Sequence, residues 1–169
     1  MTAAPLAEVA FDCPDLRTRR LVDGIERDDD RPAYAFEWAA LWGQCRVALA
    51  RRERTYPAMI AEKRIDQADA DADVAAWRAL AAEWEWICTG EGALPPPATL
   101  PARKRATELA LNRVGEELRR GRRSAENEIQ QLLIQAIAWH LARTRFGAPA
   151  VHFCAALNHG FEAQRKGTE

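Results

Sequence analysis

Ala70, Val74, Trp77, Ala81, Trp84 and Cys88 recur at intervals of four, three, four, three and four residues. Only an α-helix lying lengthwise against another helix presents such a set to one neighbour, because a strand would turn successive side chains to opposite faces. Asp66 stands just ahead of the seam as a helix cap. A partner seam precedes it: Tyr34, Trp38, Leu41 with Trp42, Cys45 and Leu49 recur every three or four residues from Pro32 to Tyr56. Pro57 lacks an amide donor and disfavours helical geometry at Tyr56, so a break or bend is expected there, with Met59 and Ile60 in a short following segment. The short link predicts an antiparallel pair.

Three further helical patterns follow residues 89–101, where Pro95-Pro96-Pro97 favours extended polyproline geometry and a stiff connector. Thr107, Ala110, Leu111, Val114 and Leu118 mark the first, and Gly121 interrupts the chain after it. Ser124 caps the second, marked by Ile129, Leu132, Leu133, Ala136, Ile137, His140 and Leu141, and Gly147 ends it. Pro149 suits the first turn of the third, which carries Val151, Phe153, Cys154, Leu157 and Phe161. Residues 6–31 read as irregular chain followed by a short helix through Leu16, Leu21, Val22 and Ile25. The fold class is therefore all-α: a bundle of five to six helices, with a helical hairpin in the N-terminal half and three helices in the C-terminal half. The division is 1–88, an acidic Trp-rich half; 89–101, the connector; and 102–169, a basic half, the two halves forming one domain if they share a core.

Charge follows that division. Residues 1–100 carry 12 Lys and Arg against 18 Asp and Glu, and residues 101–169 carry 12 against 7, although the whole chain has a formal net charge of only −1. Such polarity suits either steering of a charged partner or attraction between the halves. With 48% hydrophobic residues the chain can bury a core that disordered sequences lack. No run approaches the roughly 18 apolar residues of a membrane span, and the N-terminus has no basic and apolar signal pattern, so no membrane and a cytoplasmic setting are expected. Cys13, Cys45, Cys88 and Cys154 lie in apolar patterns far apart, which favours buried free thiols over a disulfide framework or zinc knuckle.

The strongest surface feature is the stretch from Arg103 to Arg123, with eight basic residues against Glu108, Glu116 and Glu117. On a helix, Arg105, Arg113, Arg119, Arg120 and Arg123 fall opposite Leu111, Val114 and Leu118 and form a stripe whose guanidinium forks suit phosphate oxygens. Glu116 projects into it, and pairing with the acidic half or with the helix dipole is the competing use. Trp84 and Trp86 lie about 200° apart on one helix, so Trp86 either meets a second layer or stands at a partner interface.

Other constellations fit their chemistries poorly. Asp69-x-Asp71-x-Asp73 resembles the opening of a calcium loop, but Val74 stands where glycine is needed and Leu80 where a bidentate glutamate belongs. Asp28-Asp29-Asp30 reads as a solvated turn. His152 and His159 share a helix face with Cys154 pointing elsewhere, so no metal and no cofactor are expected. No nucleophile elbow, phosphate-cradling loop or pair of Glu-x-x-His motifs is present; an enzyme with a site near His140, His152 and His159, joined by Glu83 and Glu85, is the remaining catalytic reading.

The block Arg51-Arg52-Glu53-Arg54-Thr55-Tyr56-Pro57-Ala58-Met59-Ile60, then Arg64-Ile65 and the acidic helix beyond, resembles a helical-hairpin segment of small uncharacterised bacteriophage and prophage proteins. The resemblance covers residues 51–90. It implies a mobile-element setting and no catalytic residues. The expected function is a non-enzymatic interaction protein that binds a protein complex of host or phage through Trp86 and the arginine stripe, with oligomerisation open to it. The alternative is a DNA- or RNA-binding accessory protein using the 103–123 helix.

Overall fold

A computed structural model describes residues 19–22, 25–28, 31–92 and 99–167. Among these residues there are five helices, α1 (Trp38–Ala61), α2 (Gln67–Thr89), α3 (Leu100–Arg119), α4 (Ala125–Ala142) and α5 (Val151–Lys166), and the all-α bundle is what the seams require. The helices α1 and α2 form the antiparallel N-terminal hairpin, α3 and α4 pair in the same way, and α2 also touches α3 and α5. One cluster of buried side chains draws on both sides of the connector: Leu41 and Cys45 from α1, Trp77, Leu80 and Trp84 from α2, Val114 from α3, Ile134 and Ile137 from α4, and Val151 and Ala155 from α5.

Several boundaries and bonds differ from those expected. Pro57 does not end α1, which runs through it to Ala61 and takes in Met59 and Ile60. The carbonyl that Pro57 leaves without a donor belongs to Glu53, on the exposed side of the helix where water can serve it. Arg52 and Tyr56, just before the proline, are both anchored to Asp73 of α2. The short helix expected near residues 16–25 is instead a two-stranded hairpin, β1 (Arg19–Val22) with β2 (Ile25–Asp28), in which Val22 pairs with Ile25 and Arg19 with Asp28. The intervening Asp23-Gly24 is a strong two-residue hairpin signal, and it outweighs the helical reading of so short a run.

The link from α4 to α5 is a second small hairpin, β3 (Thr144–Arg145) with β4 (Ala148–Pro149), so Pro149 ends a strand rather than opening a helix. Its turn has positive φ at both Phe146 (50°) and Gly147 (81°), the pattern of a tight two-residue turn. Finally, Cys154 is disulfide-bonded, whereas Cys45 and Cys88 are the buried free thiols expected. Distance along the sequence is a poor guide here, because a helical fold brings remote segments together.

The remaining boundaries follow local chemistry. The Ser124 hydroxyl accepts the amide of Asn127 as an N-cap. Gly90 closes α2 at φ 74°, and a Cβ there would also come within 3.2 Å of the His159 ring, so both backbone and space call for glycine. The α3 helix ends at Arg119 and not at Arg123; Gly121, at φ 78°, turns the chain towards α4. No described helix is long and apolar enough to cross a membrane.

Candidate functional site

Among the described residues a groove of about 490 Å³ opens between α2 and α3. Its base is built by α1 and by the inward faces of the two walls. Arg52 and Tyr56, one turn apart on α1, are both nearly buried, as are Ala76 and Ala106. Asp69, Ala72 and Asp73 line the α2 side, and Ala102, Arg105, Leu109 and Arg113 the α3 side. The α3 spacing keeps those side chains on one stripe, and Ala102 to Arg113 extends for about 16 Å, or three turns. The alanines keep the groove open because they fill so little of it. A smaller cavity of about 90 Å³ continues past Arg52 and Arg113 towards Trp77, Asn127 and Gln130.

The base is fixed by a polar cluster. Arg52 Nε lies 2.6 Å from Asp73 Oδ2, and the Tyr56 hydroxyl donates to the same oxygen. Arg52 Nη1 donates to the Ala48 carbonyl at 3.0 Å, and its guanidinium carbon stands 4.5 Å over the Trp77 ring. Burial, with the bond to Asp73, raises the Tyr56 pKa above its usual value despite Arg52 nearby, so the phenol stays protonated and keeps donating at neutral pH. Replacement of Tyr56 by Phe should cost about 1–3 kcal/mol, the range for losing a hydrogen bond to a charged group, read as a lower urea midpoint at unchanged slope. A midpoint equal to that of the parent would show that the Arg52–Asp73 pair alone holds the base.

A second polar cluster lies in the core, closed to solvent. Glu83 and Arg103 are both fully buried, and Arg103 Nε is 3.0 Å from Oε2 while Nη2 donates to Oε1 at 3.2 Å. The Nε contact has the distance of an ion pair without the alignment of a hydrogen bond. His152 Nε2 approaches Oε1 at 2.7 Å, and the Thr99 hydroxyl takes Arg103 Nη1. This network joins α2, α3 and α5. Carboxylate and guanidinium neutralise one another's charge here, so the cluster has the form of a structural lock.

The three histidines do not converge. His140 Nε2 lies 2.6 Å from the Ala35 carbonyl, His152 is committed to Glu83, and His159 Nε2 lies 3.2 Å from the Ile87 carbonyl. The Trp86 ring meets both His152 and His159 edge-on, at centroid distances of 5.9 and 5.2 Å. Among the described residues no three metal-ligating side chains gather. The free thiols are poor nucleophiles, since burial pushes Cys88 up to about 12 and raises Cys45 well above the normal range, with Glu83 adding to the latter. Asp69 to Leu80 lies wholly within α2, so it cannot wrap a calcium ion as a loop would.

No family model, curated protein or solved structure matches this chain. Its geometry therefore has to carry the functional argument.

The residues singled out from sequence are dispersed. Arg105 and Arg113 line the groove, are exposed, and make no ion pair among the described residues. Arg119 ends α3, Arg120 caps it at 3.9 Å from Glu116, and Arg123 lies in the following turn, so the stripe is helical only as far as Arg119. Arg122 is held by Glu117 at 2.8 Å. Arg103, counted with the basic stretch, points into the core. Trp86 is half-buried against α5, the second layer that its angle from Trp84 allowed. Sequence reasoning missed Arg52, Tyr56 and Asp73 as a cluster. Their only sequence signal was polar residues on otherwise apolar seams: Arg52 follows Cys45 and Ala48 on α1, and Asp73 follows Ala70 on α2.

Proposed function

We propose that this chain is a non-enzymatic interaction protein that receives a segment of a partner protein in the α2–α3 groove. The observation that carries the reading is the groove itself: about 490 Å³, three turns long on the α3 side, with a hydrogen-bonded polar base and walls that alternate apolar and charged side chains. Leu109, 51% exposed, stands in the α3 wall of that groove. Such a shape suits an amphipathic helix laid into a groove, where apolar side chains supply affinity and rim charges supply specificity. The phage or mobile-element setting rests on the resemblance of residues 51–90. A nucleic-acid surface is the second reading, favoured by the exposed Arg105, Arg113, Arg119 and Arg123.

Selection of displayed helical peptides against the protein tests the first reading, with Leu109→Glu as the counter-target and a duplex oligonucleotide titrated alongside. Peptides should be enriched, and Leu109→Glu should weaken them by at least about tenfold, the scale of losing one apolar anchor and burying a charge, without lowering the melting temperature. Absence of enrichment, or peptides indifferent to Leu109→Glu, would contradict it. Oligonucleotide binding that falls steeply with salt would favour the second reading.

A further inference from the structure

The groove has opposite charge on its two sides. On the α2 side stands Asp69, exposed, while Asp73 beside it is already paired with Arg52 and Tyr56 at Oδ2 and has its Oδ1 buried. On the α3 side stand Arg105 and Arg113, eight residues apart and therefore about 12 Å along the helix. The two helices pack against each other, yet among the described residues no salt bridge spans the groove between these groups. Arg113 is near enough to Tyr56 for its charge to act on the phenol at the base. Between the two charged edges, above the Arg52–Tyr56 base, lie the apolar side chains of Ala72 and Ala76 on one side and Ala106 and Leu109 on the other.

Resting on the groove reading above, we infer that the occupant is an amphipathic helix with split flanks: an apolar stripe bordered by basic side chains towards α2 and by acidic side chains towards α3. A helix acidic on both flanks would set carboxylates against Asp69. One basic on both flanks would set cations against Arg105 and Arg113. Like charges brought together at a desolvating rim are penalised more than opposite charges there are rewarded, so the division works chiefly as discrimination. It also fixes direction, because a helix laid in the opposite sense exchanges its two flanks.

The test uses three synthetic peptides of about 18 residues, long enough to be partly helical alone. All carry the same Ala/Leu stripe, and their flanks are split, wholly acidic or wholly basic. Binding is read by fluorescence anisotropy at low salt with the full-length protein, Asp69→Lys, Arg105→Glu/Arg113→Glu and Leu109→Glu, each checked for native helicity by circular dichroism. The split peptide should bind the parent at least about tenfold more tightly than either uniform peptide. Asp69→Lys should weaken the split peptide and strengthen the wholly acidic one, and Arg105→Glu/Arg113→Glu should strengthen the wholly basic one. A uniform peptide that binds the parent as tightly as the split one, while remaining sensitive to Leu109→Glu, overturns the charge division and leaves the groove reading standing. Failure of all three peptides to bind overturns both.

Discussion

Truncation of Glu83 to alanine should destabilise the protein by about 3–5 kcal/mol, enough to unfold much of the population of a typical domain. The reason is asymmetry. Arg103, also fully buried, would lose its one carboxylate partner among the described residues and remain as an uncompensated charge in the core. Arg103→Met should cost nearly as much, because it strands Glu83 in the same way, leaving its Oε1 to His152. The combined Glu83→Leu/Arg103→Met variant should recover most of the loss, since apolar groups of similar volume can replace a buried pair at little net cost. Urea denaturation of the four proteins measures this directly. If the double variant is as unstable as the sum of the singles, the network contributes more than mutual neutralisation.

His140 should dominate the acid limb of stability. Complete burial drives its pKa down to about 4, against the opposing effect of its bond to the Ala35 carbonyl, and Arg143 lowers it further. The folded chain therefore holds His140 neutral while the unfolded chain protonates it near 6.5. Between those values the unfolded state binds more protons, so stability rises with pH there. It is fully present above about 6.5 and is lost as pH falls towards 4, a change of about 3 kcal/mol. His140→Gln should flatten this part of the profile, although losing the edge contacts with Trp84 and Trp139 lowers its stability at every pH. Parallel pH profiles of the two proteins would expose the titration of some other group.

Much of the architecture was legible because it depends on periodicity. The seam from Ala70 to Cys88 and the cap at Ser124 act through nearest turns of one helix, and both occur where the pattern places them. The hairpin at residues 19–28 was missed because four-residue strands leave almost no periodic record, although Asp23-Gly24 was there to be read. Pro57 misled because the cost of a proline depends on which carbonyl it orphans, and the exposure of Glu53 is a tertiary fact.

The polar interior was legible only in hindsight. Glu83 sits in the series Ala76, Leu80, Glu83, Ile87, and Arg103 in Leu100, Arg103, Thr107, Ala110, Val114. A charge at an apolar register on each of two helices is the mark of a buried pair. By composition Arg103 had instead been one of the eight basic residues of the 103–123 stretch. The groove had no sequence signature of its own, because Arg105 and Arg113 gain meaning only when α2 brings Asp69 and Asp73 opposite them.

Backbone hydrogen–deuterium exchange with the split-flank peptide added tests the central claim most directly, because occupancy of the groove slows exchange where the chain is covered. The expected result is protection of residues 65–76 and 102–113, lost with Leu109→Glu. Protection confined to Arg119–Arg123 or to α5, with the groove walls unchanged, would contradict it.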